Sequence, residues 1–220
     1  MLIVKPSALG DVIQATAVLP VIKEAFPRAA ISWLVFEQNA GALEGNPWID
    51  RLIVVKRRGL GLRGMLSLAR ELRRSRFDLV VDLQCLLRSG LITYATGSGR
   101  RAGYANGREF STLFYNEPYD IPRDNMHAVD GYMLMCRMLG CRQRGPVRFV
   151  LPGGAPERAR AERLLKGSAG RGPVVAVCPT AGWPTKTWPE SSFARAADLL
   201  VDVCGARVFW LGSPVERVVG

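Results

Sequence analysis

Residues 2–12 read Leu-Ile-Val-Lys-Pro-Ser-Ala-Leu-Gly-Asp-Val. A short apolar run stops at Lys5-Pro6, crosses small residues and reaches Gly10-Asp11, where an amphipathic stretch begins at once. That order predicts a strand over 2–5 that turns directly into a helix over 12–25. In open α/β sheets, ligands bind beyond the carboxyl ends of the strands. The junction therefore puts one acid, Asp11, where chemistry is usually done. Two roles are open to that carboxylate: taking a proton from a substrate hydroxyl as general base, or capping the helix and complementing its dipole.

The same rhythm repeats along the chain. Short apolar runs at 30–36, 52–55, 79–83 and 101–104 read as strands, and helical patterns fill 64–74 and 86–95. Strands alternating with helices predict an α/β fold with a parallel sheet covered on both faces. Residues 107–124 break the rhythm and read as a long loop, followed by a helix over 127–139. Residues 140–156 turn rich in Gly, Pro and Arg, which marks a linker. The rhythm then restarts with a helix at 156–166, a buried strand at 174–178, a helix at 191–203 and a strand at 207–211. Two domains follow, 1–150 and 151–220, the second with only two clear strands and read as cut short.

Composition bounds the function. Hydrophobic residues make up 48% and charged residues 22%, as suits a chain with a real core. No run of 18 uninterrupted apolar residues is present, so no membrane-spanning helix is expected. The start lacks the pattern of a signal peptide, and the five cysteines lack metal-ligand spacing; both fit reduced thiols in a cytoplasmic protein. The net charge of +11 is concentrated: residues 56–76 carry eight Lys or Arg against one acid, Glu71. Such a stretch either attracts anionic partners or is a solvated helix face. With one histidine, a histidine-based metal cluster is excluded, and no Asp-x-Asp pair is present.

Three further places can carry chemistry. Residues 178–189, Cys-Pro-Thr-Ala-Gly-Trp-Pro-Thr-Lys-Thr-Trp-Pro, follow a predicted strand and precede a helix. They form either a phosphate cradle with Lys186 as its charge or a Pro-rich loop with aromatic packing. The spacing is not that of a P-loop. Residues 209–216 end a strand in Gly-Ser-Pro and carry Glu216, an acid suited to ribose hydroxyls. His127 precedes a helix and is either its cap or a site residue. No Gly-x-Gly-x-x-Gly follows the first strand, which argues against a Rossmann dehydrogenase.

Taken in order, these strings resemble glycosyltransferase family nine, the bacterial lipopolysaccharide heptosyltransferases. Residues 3–12 resemble the family's opening signature. Phe77-Asp78-Leu79-Val80-Val81-Asp82-Leu83-Gln84 with Arg88-Ser89 resembles its Tyr-Asp-hydrophobic-Asp-x-Gln segment. Leu113-Phe114-Tyr115-Asn116 and His127-Ala128-Val129-Asp130 fall where the family has similar strings. Pro179 through Pro189 resembles its Lys-x-Trp-Pro loop, and Leu211-Gly212-Ser213-Pro214 with Glu216 resembles the loop that follows.

The resemblance implies a GT-B fold: an N-terminal Rossmann-like domain that binds acceptor, and a second such domain, present here in part, that binds nucleotide-sugar. It implies an inverting glycosyltransferase moving heptose from ADP-heptose to the lipopolysaccharide inner core, either Kdo-lipid A or heptosylated core. Asp11 would be the general base. Thr180, Ala181, Gly182 and Lys186 would hold the donor diphosphate, and Glu216 the ribose. Ser7, Gly10, Arg57, Arg58, Arg63, Arg88 and His127 would bind the acidic acceptor. No cofactor and no obligatory metal are expected, and the place of work is the cytoplasmic face of the inner membrane, as a peripheral protein. Gly182 stands where the family usually has a hydroxyl residue. The family's later Asp-Thr/Ser-Gly-x-x-His motif would lie beyond Gly220, so the chain is expected to be a fragment that turns over poorly alone. The competing expectation is a non-catalytic basic α/β module for acidic lipid or nucleic acid; no nucleic-acid-binding motif supports it.

Overall fold

The computed structural model describes residues 1–57, 61–122, 126–166, 172–181 and 184–212. The chain divides into two compact units, Met1–Pro152 and Gly153–Gly220.

In the first unit six strands form one parallel sheet: β1 (Leu2–Val4), β2 (Ser32–Phe36), β3 (Arg51–Val55), β4 (Val80–Asp82), β5 (Arg101–Tyr104) and β6 (Glu117–Tyr119). Their spatial order is β3-β2-β1-β4-β5-β6, so the direction of winding reverses between β1 and β4. Because side chains alternate along a strand, both sheet faces are buried. Ile3, Trp33, Val35 and Val81 point into one core cluster, and Leu2, Val4, Leu34, Phe36 and Val80 into the other. The first face packs against α1 (Leu9–Ala15), α2 (Val18–Ala25) and α5 (Ala128–Met138). The second packs against α3 (Leu62–Arg74) and α4 (Leu87–Ala95).

Three expectations need correction. The single helix expected over 12–25 is two helices. Pro20 has no N–H to donate and its ring crowds the carbonyl four residues back; that residue is Thr16, whose carbonyl accepts from Leu19 N–H at 3.0 Å instead. The loop expected over 107–124 contains a 3-10 turn at Ser111–Phe114 and the strand β6. Pro118 sits in β6, which is tolerated because β6 is an edge strand. The strand expected to be buried at 174–178 is half-exposed.

That strand belongs to the second unit. There β7 (Val174–Val177) pairs in parallel with β8 (Arg207–Trp210), beside α6 (Ala155–Lys166) and α7 (Glu190–Cys204). A two-stranded sheet has too few neighbours to cover its faces. Among the described residues of this unit, only Ala197 and Ala206 are buried hydrophobics.

Candidate active site

The site is built around the reversal of winding between β1 and β4. After β1 the chain turns through Pro6, Ser7 and Ala8. Pro6 is pinned to the end of β2, its carbonyl accepting from Phe36 N–H at 3.2 Å and from the Asn39 side chain at 2.9 Å. Helix α1 begins at Leu9, and its cap is Ala8 rather than Asp11. Asp11 lies in the first turn and reaches back, accepting from Ala8 N–H at 3.4 Å. The helix starts three residues earlier than the hydrophobic pattern implied, which moves Asp11 from the cap to a position inside the turn.

Lys5 is the second charge of this junction. It is 4% exposed, held among core residues, with its carbonyl accepting from Trp33 Nε1 at 3.2 Å. Its Nζ lies 3.6 Å from Asp11 Oδ2 and 5.7 Å from the centre of the Tyr132 ring. Burial pushes the Lys5 ammonium below its ordinary range, with the Asp11 carboxylate pulling the other way. The Asp11 side chain remains about half exposed, 47%, and so faces solvent while the lysine anchors it from beneath.

Beyond β4 a buried carboxylate shapes the turn. Asp82 is fully buried; its Oδ1 accepts from Gln84 N–H at 2.8 Å and Cys85 N–H at 2.9 Å, and its Oδ2 accepts from Tyr115 hydroxyl at 2.8 Å. Burial pushes Asp82 above the ordinary carboxyl range, opposed by these bonds. The same burial, beside Asp82, pushes the Tyr115 phenol strongly upward. The turn so fixed presents Gln84 between two cavities.

The first cavity, about 240 Å³, is lined by Lys5, Asp11, Gln84, Tyr104, Arg108 and His127, with Ile121 and Pro122 after β6 and residues of α5 closing it. His127 caps α5, its Nδ1 accepting from Val129 N–H at 3.3 Å. In the neutral ring this leaves the proton on Nε2. The second cavity, about 380 Å³, shares Gln84 and is lined by Ser7, Arg57, Arg88, Ser89 and Glu109. Arg88 donates to the Arg57 carbonyl at 3.0 Å, which ties α4 to the end of β3. The Gln84 Oε1 atom is buried and has no hydrogen-bond partner among the described residues.

The structure thus brings Asp11 and His127 together in one cavity, and Ser7, Arg57 and Arg88 in the adjoining one. Gly10 is exposed on α1 and Arg63 is exposed on α3; neither lines these two cavities. Arg58 lies outside the described residues. In the second unit, Thr180 and Ala181 follow β7, and Lys186 is exposed at the end of a 3-10 turn over Pro184–Lys186. Trp188 packs on Phe193 with ring centres 5.5 Å apart. Gly182 and Glu216 lie outside the described residues. Among the described residues, no group of three or more His, Cys, Asp or Glu side chains is arranged to hold a metal ion.

Sequence reasoning passed over Lys5, Gln84, Tyr104 and Arg108 as site residues. Lys5 and Gln84 sat in plain view, inside the first strand-to-helix junction and the 77–84 segment. Arg108 carried no signal, because its position depends on how the turn after β5 folds back onto β4.

The sequence profile of glycosyltransferase family 9 (heptosyltransferase) matches residues 65–217. The lipopolysaccharide core heptosyltransferase OpsX of Haemophilus influenzae is 25% identical over 98% of this chain and 60% of its own length. The crystal structure of a family 9 glycosyltransferase from Veillonella parvula superposes with a TM-score of 0.83 at 24% identity, covering 99% of this chain and 64% of that one. The E. coli heptosyltransferase WaaC, solved with ADP-2-deoxy-2-fluoro heptose, gives a TM-score of 0.71 at 25% identity, covering 99% of this chain and 70% of that one. The chain spans 60% of the length of OpsX. With its α/β fold of the GT-B type, this chain belongs to glycosyltransferase family 9, the heptosyltransferase family.

Proposed function

We propose that this chain supplies the acceptor site, and part of the donor site, of an inverting heptosyltransferase that uses ADP-heptose and builds the lipopolysaccharide inner core. The observation that carries the reading is the Asp11 cavity: a solvent-facing carboxylate at the strand-order reversal, anchored by a buried lysine and ringed by Arg108, His127 and Gln84. Cationic groups suit an acidic sugar such as Kdo, and the Gln84 side chain, which lines both cavities, adds a polar group for sugar hydroxyls. The likeness to a heptosyltransferase solved with an ADP-heptose analogue supports the donor assignment.

In this reading the acceptor hydroxyl gives its proton to Asp11 as its oxygen bonds to the anomeric carbon of the heptose. The bond from that carbon to the diphosphate breaks on the opposite face, and the electron pair leaves with ADP, which inverts the configuration. The Lys5 ammonium fixes the orientation of the Asp11 carboxylate. Arg57, Arg58, Arg63 and Arg88 attract the acidic acceptor, with Ser7 and Gly10 letting it approach the turn. Thr180, Ala181, Gly182 and Lys186 meet the diphosphate, where a fixed cation stabilises the departing charge without an obligatory metal, and Glu216 meets the ribose. Among the described residues no helix is long and apolar enough to cross a membrane. A lipid-linked acceptor therefore requires work at a membrane surface, the cytoplasmic face of the inner membrane.

The test is heptose transfer by a chimera joining Met1–Pro152 to the remaining part of the E. coli enzyme. Asp11→Asn is expected to lower kcat by about 10²–10⁴-fold, the usual worth of a general base, with ADP binding unchanged. Transfer at the parent rate by Asp11→Asn would remove Asp11 as base.

A further inference from the structure

Helix α3 is anchored at one end only. Leu72, in its last turns, is its one buried residue, resting with the partly buried Leu68 on the cluster under β1–β3. The apolar stripe continues toward the N-terminus at helical spacing through Leu62, Met65 and Leu66, yet there, among the described residues, the side chains stay 74%, 55% and 47% exposed. Leu87 and Leu91 of α4 face them and are also exposed. Between the two helices lies an open groove of about 670 Å³ whose floor includes Leu72, Val55 and Ile92. Among the described residues its lining is almost wholly apolar, and the exceptions, Lys56, Arg57 and Arg88, are all cationic.

The groove is continuous with the candidate active site. It shares Phe36, Arg57 and Arg88 with the second cavity, which in turn shares Gln84 with the cavity of Asp11. Apolar channel, cationic rim and sugar-sized cavity thus follow one another. An anionic lipid carrying a saccharide has the same order of parts: alkyl chain, phosphate, sugar.

We propose that this groove is an acyl-chain site, taking one alkyl chain of an anionic lipid whose phosphate rests on Lys56, Arg57 and Arg88. It rests on the reading that the acceptor is lipid-linked, and adds that the lipid tail, beyond the sugar, is gripped by this chain. Alkyl burial supplies affinity and the cationic rim selects an anionic head over a neutral one.

The test is calorimetric titration of the 220-residue chain, without donor, using dodecyl phosphate, hexyl phosphate, inorganic phosphate and dodecyl maltoside below their micellar concentrations. Dodecyl phosphate is expected to bind about tenfold tighter than hexyl phosphate and about tenfold tighter than dodecyl maltoside. Leu66→Ser and Leu91→Ser, each checked for folding by circular dichroism, should each cut the dodecyl advantage to under about threefold and leave inorganic phosphate unaffected. Met65→Ser, at a more exposed position, serves where either variant unfolds. Equal affinity for the two alkyl phosphates, or for dodecyl phosphate and the maltoside, overturns the proposal. So does wild-type binding of dodecyl phosphate by the variants. Sedimentation showing a dimer that Leu62→Ser dissolves would give the face to a second copy and likewise overturn it. Because the donor is absent, loss of alkyl selectivity removes the groove alone, whereas loss of heptose transfer with selectivity intact removes the transfer reading alone.

Discussion

The two units are made of the same kind of element and differ in how completely they bury it. In Met1–Pro152 the strands β1, β2 and β4 are buried along their whole length, with helices on both faces. In Gly153–Gly220 the strand β7 alternates between exposed and half-exposed, and Leu199, Val203 and Trp210 stand in solvent. The site follows that difference. Lys5 and Asp82 can be held dry only because a complete sheet surrounds them. The second unit offers Thr180, Ala181 and Lys186 from a loop with no comparable enclosure.

The contrast is sharpest in the cost of removing an apolar side chain. Trp33 is fully buried and donates to Lys5; Trp33→Ala should lower the unfolding free energy of the first unit by about 3–5 kcal/mol. A loss under about 1 kcal/mol in chemical denaturation would break the comparison.

The next effect is electrostatic. Burial makes folded Asp82 hold a proton to higher pH than its unfolded value of 3.8. Above that pH the unfolded chain has released a proton that the folded chain keeps, so this group withdraws stability as pH rises through the window between the two values. Asn does not ionise, and its amide oxygen can accept from Gln84 and Cys85. The stability difference between wild type and Asp82→Asn should therefore move toward the variant by about 1.4 kcal/mol per pH unit within that window. A difference independent of pH would mean that the turn holds the carboxylate ionised.

A smaller effect separates the two roles of His127. His127→Ala should cost about 1 kcal/mol through the lost cap of α5, while His127→Asn, a good capping residue, should cost almost nothing. If Asn weakens acceptor binding while preserving stability, the ring serves the cavity as well as the helix. Smallest of all, Leu199→Ala in the second unit is expected to change stability by no more than about 0.5 kcal/mol, since its side chain is already in solvent.

Much of the first unit was legible because its strands are short apolar runs punctuated by Gly, Pro and charge. The 101–104 run coincides with β5, and the others differ from β1–β4 only at their ends. What failed had local causes. Pro20 split a helix whose apolar period runs straight through it. Pro118 hid β6, since a proline argues against a strand until the strand is known to lie at an edge. The apolar run Val174–Val177 looked buried because composition cannot say how many neighbours a strand will have. Asp11 was found because it terminates the first junction. Gln84 reaches the site only through the buried Asp82, and no spacing in the sequence reports that dependence.

His127 is the only histidine in the chain, so its imidazole gives one resolved reporter inside the Asp11 cavity. Titrating the 220-residue chain with a soluble Kdo-bearing saccharide, and separately with ADP, while following that imidazole by NMR asks directly what the cavity binds. The account predicts that the His127 signals shift with the saccharide, shift less when Arg108 is replaced by alanine, and stay in place with ADP. Signals that move with ADP and ignore the acidic sugar would contradict it.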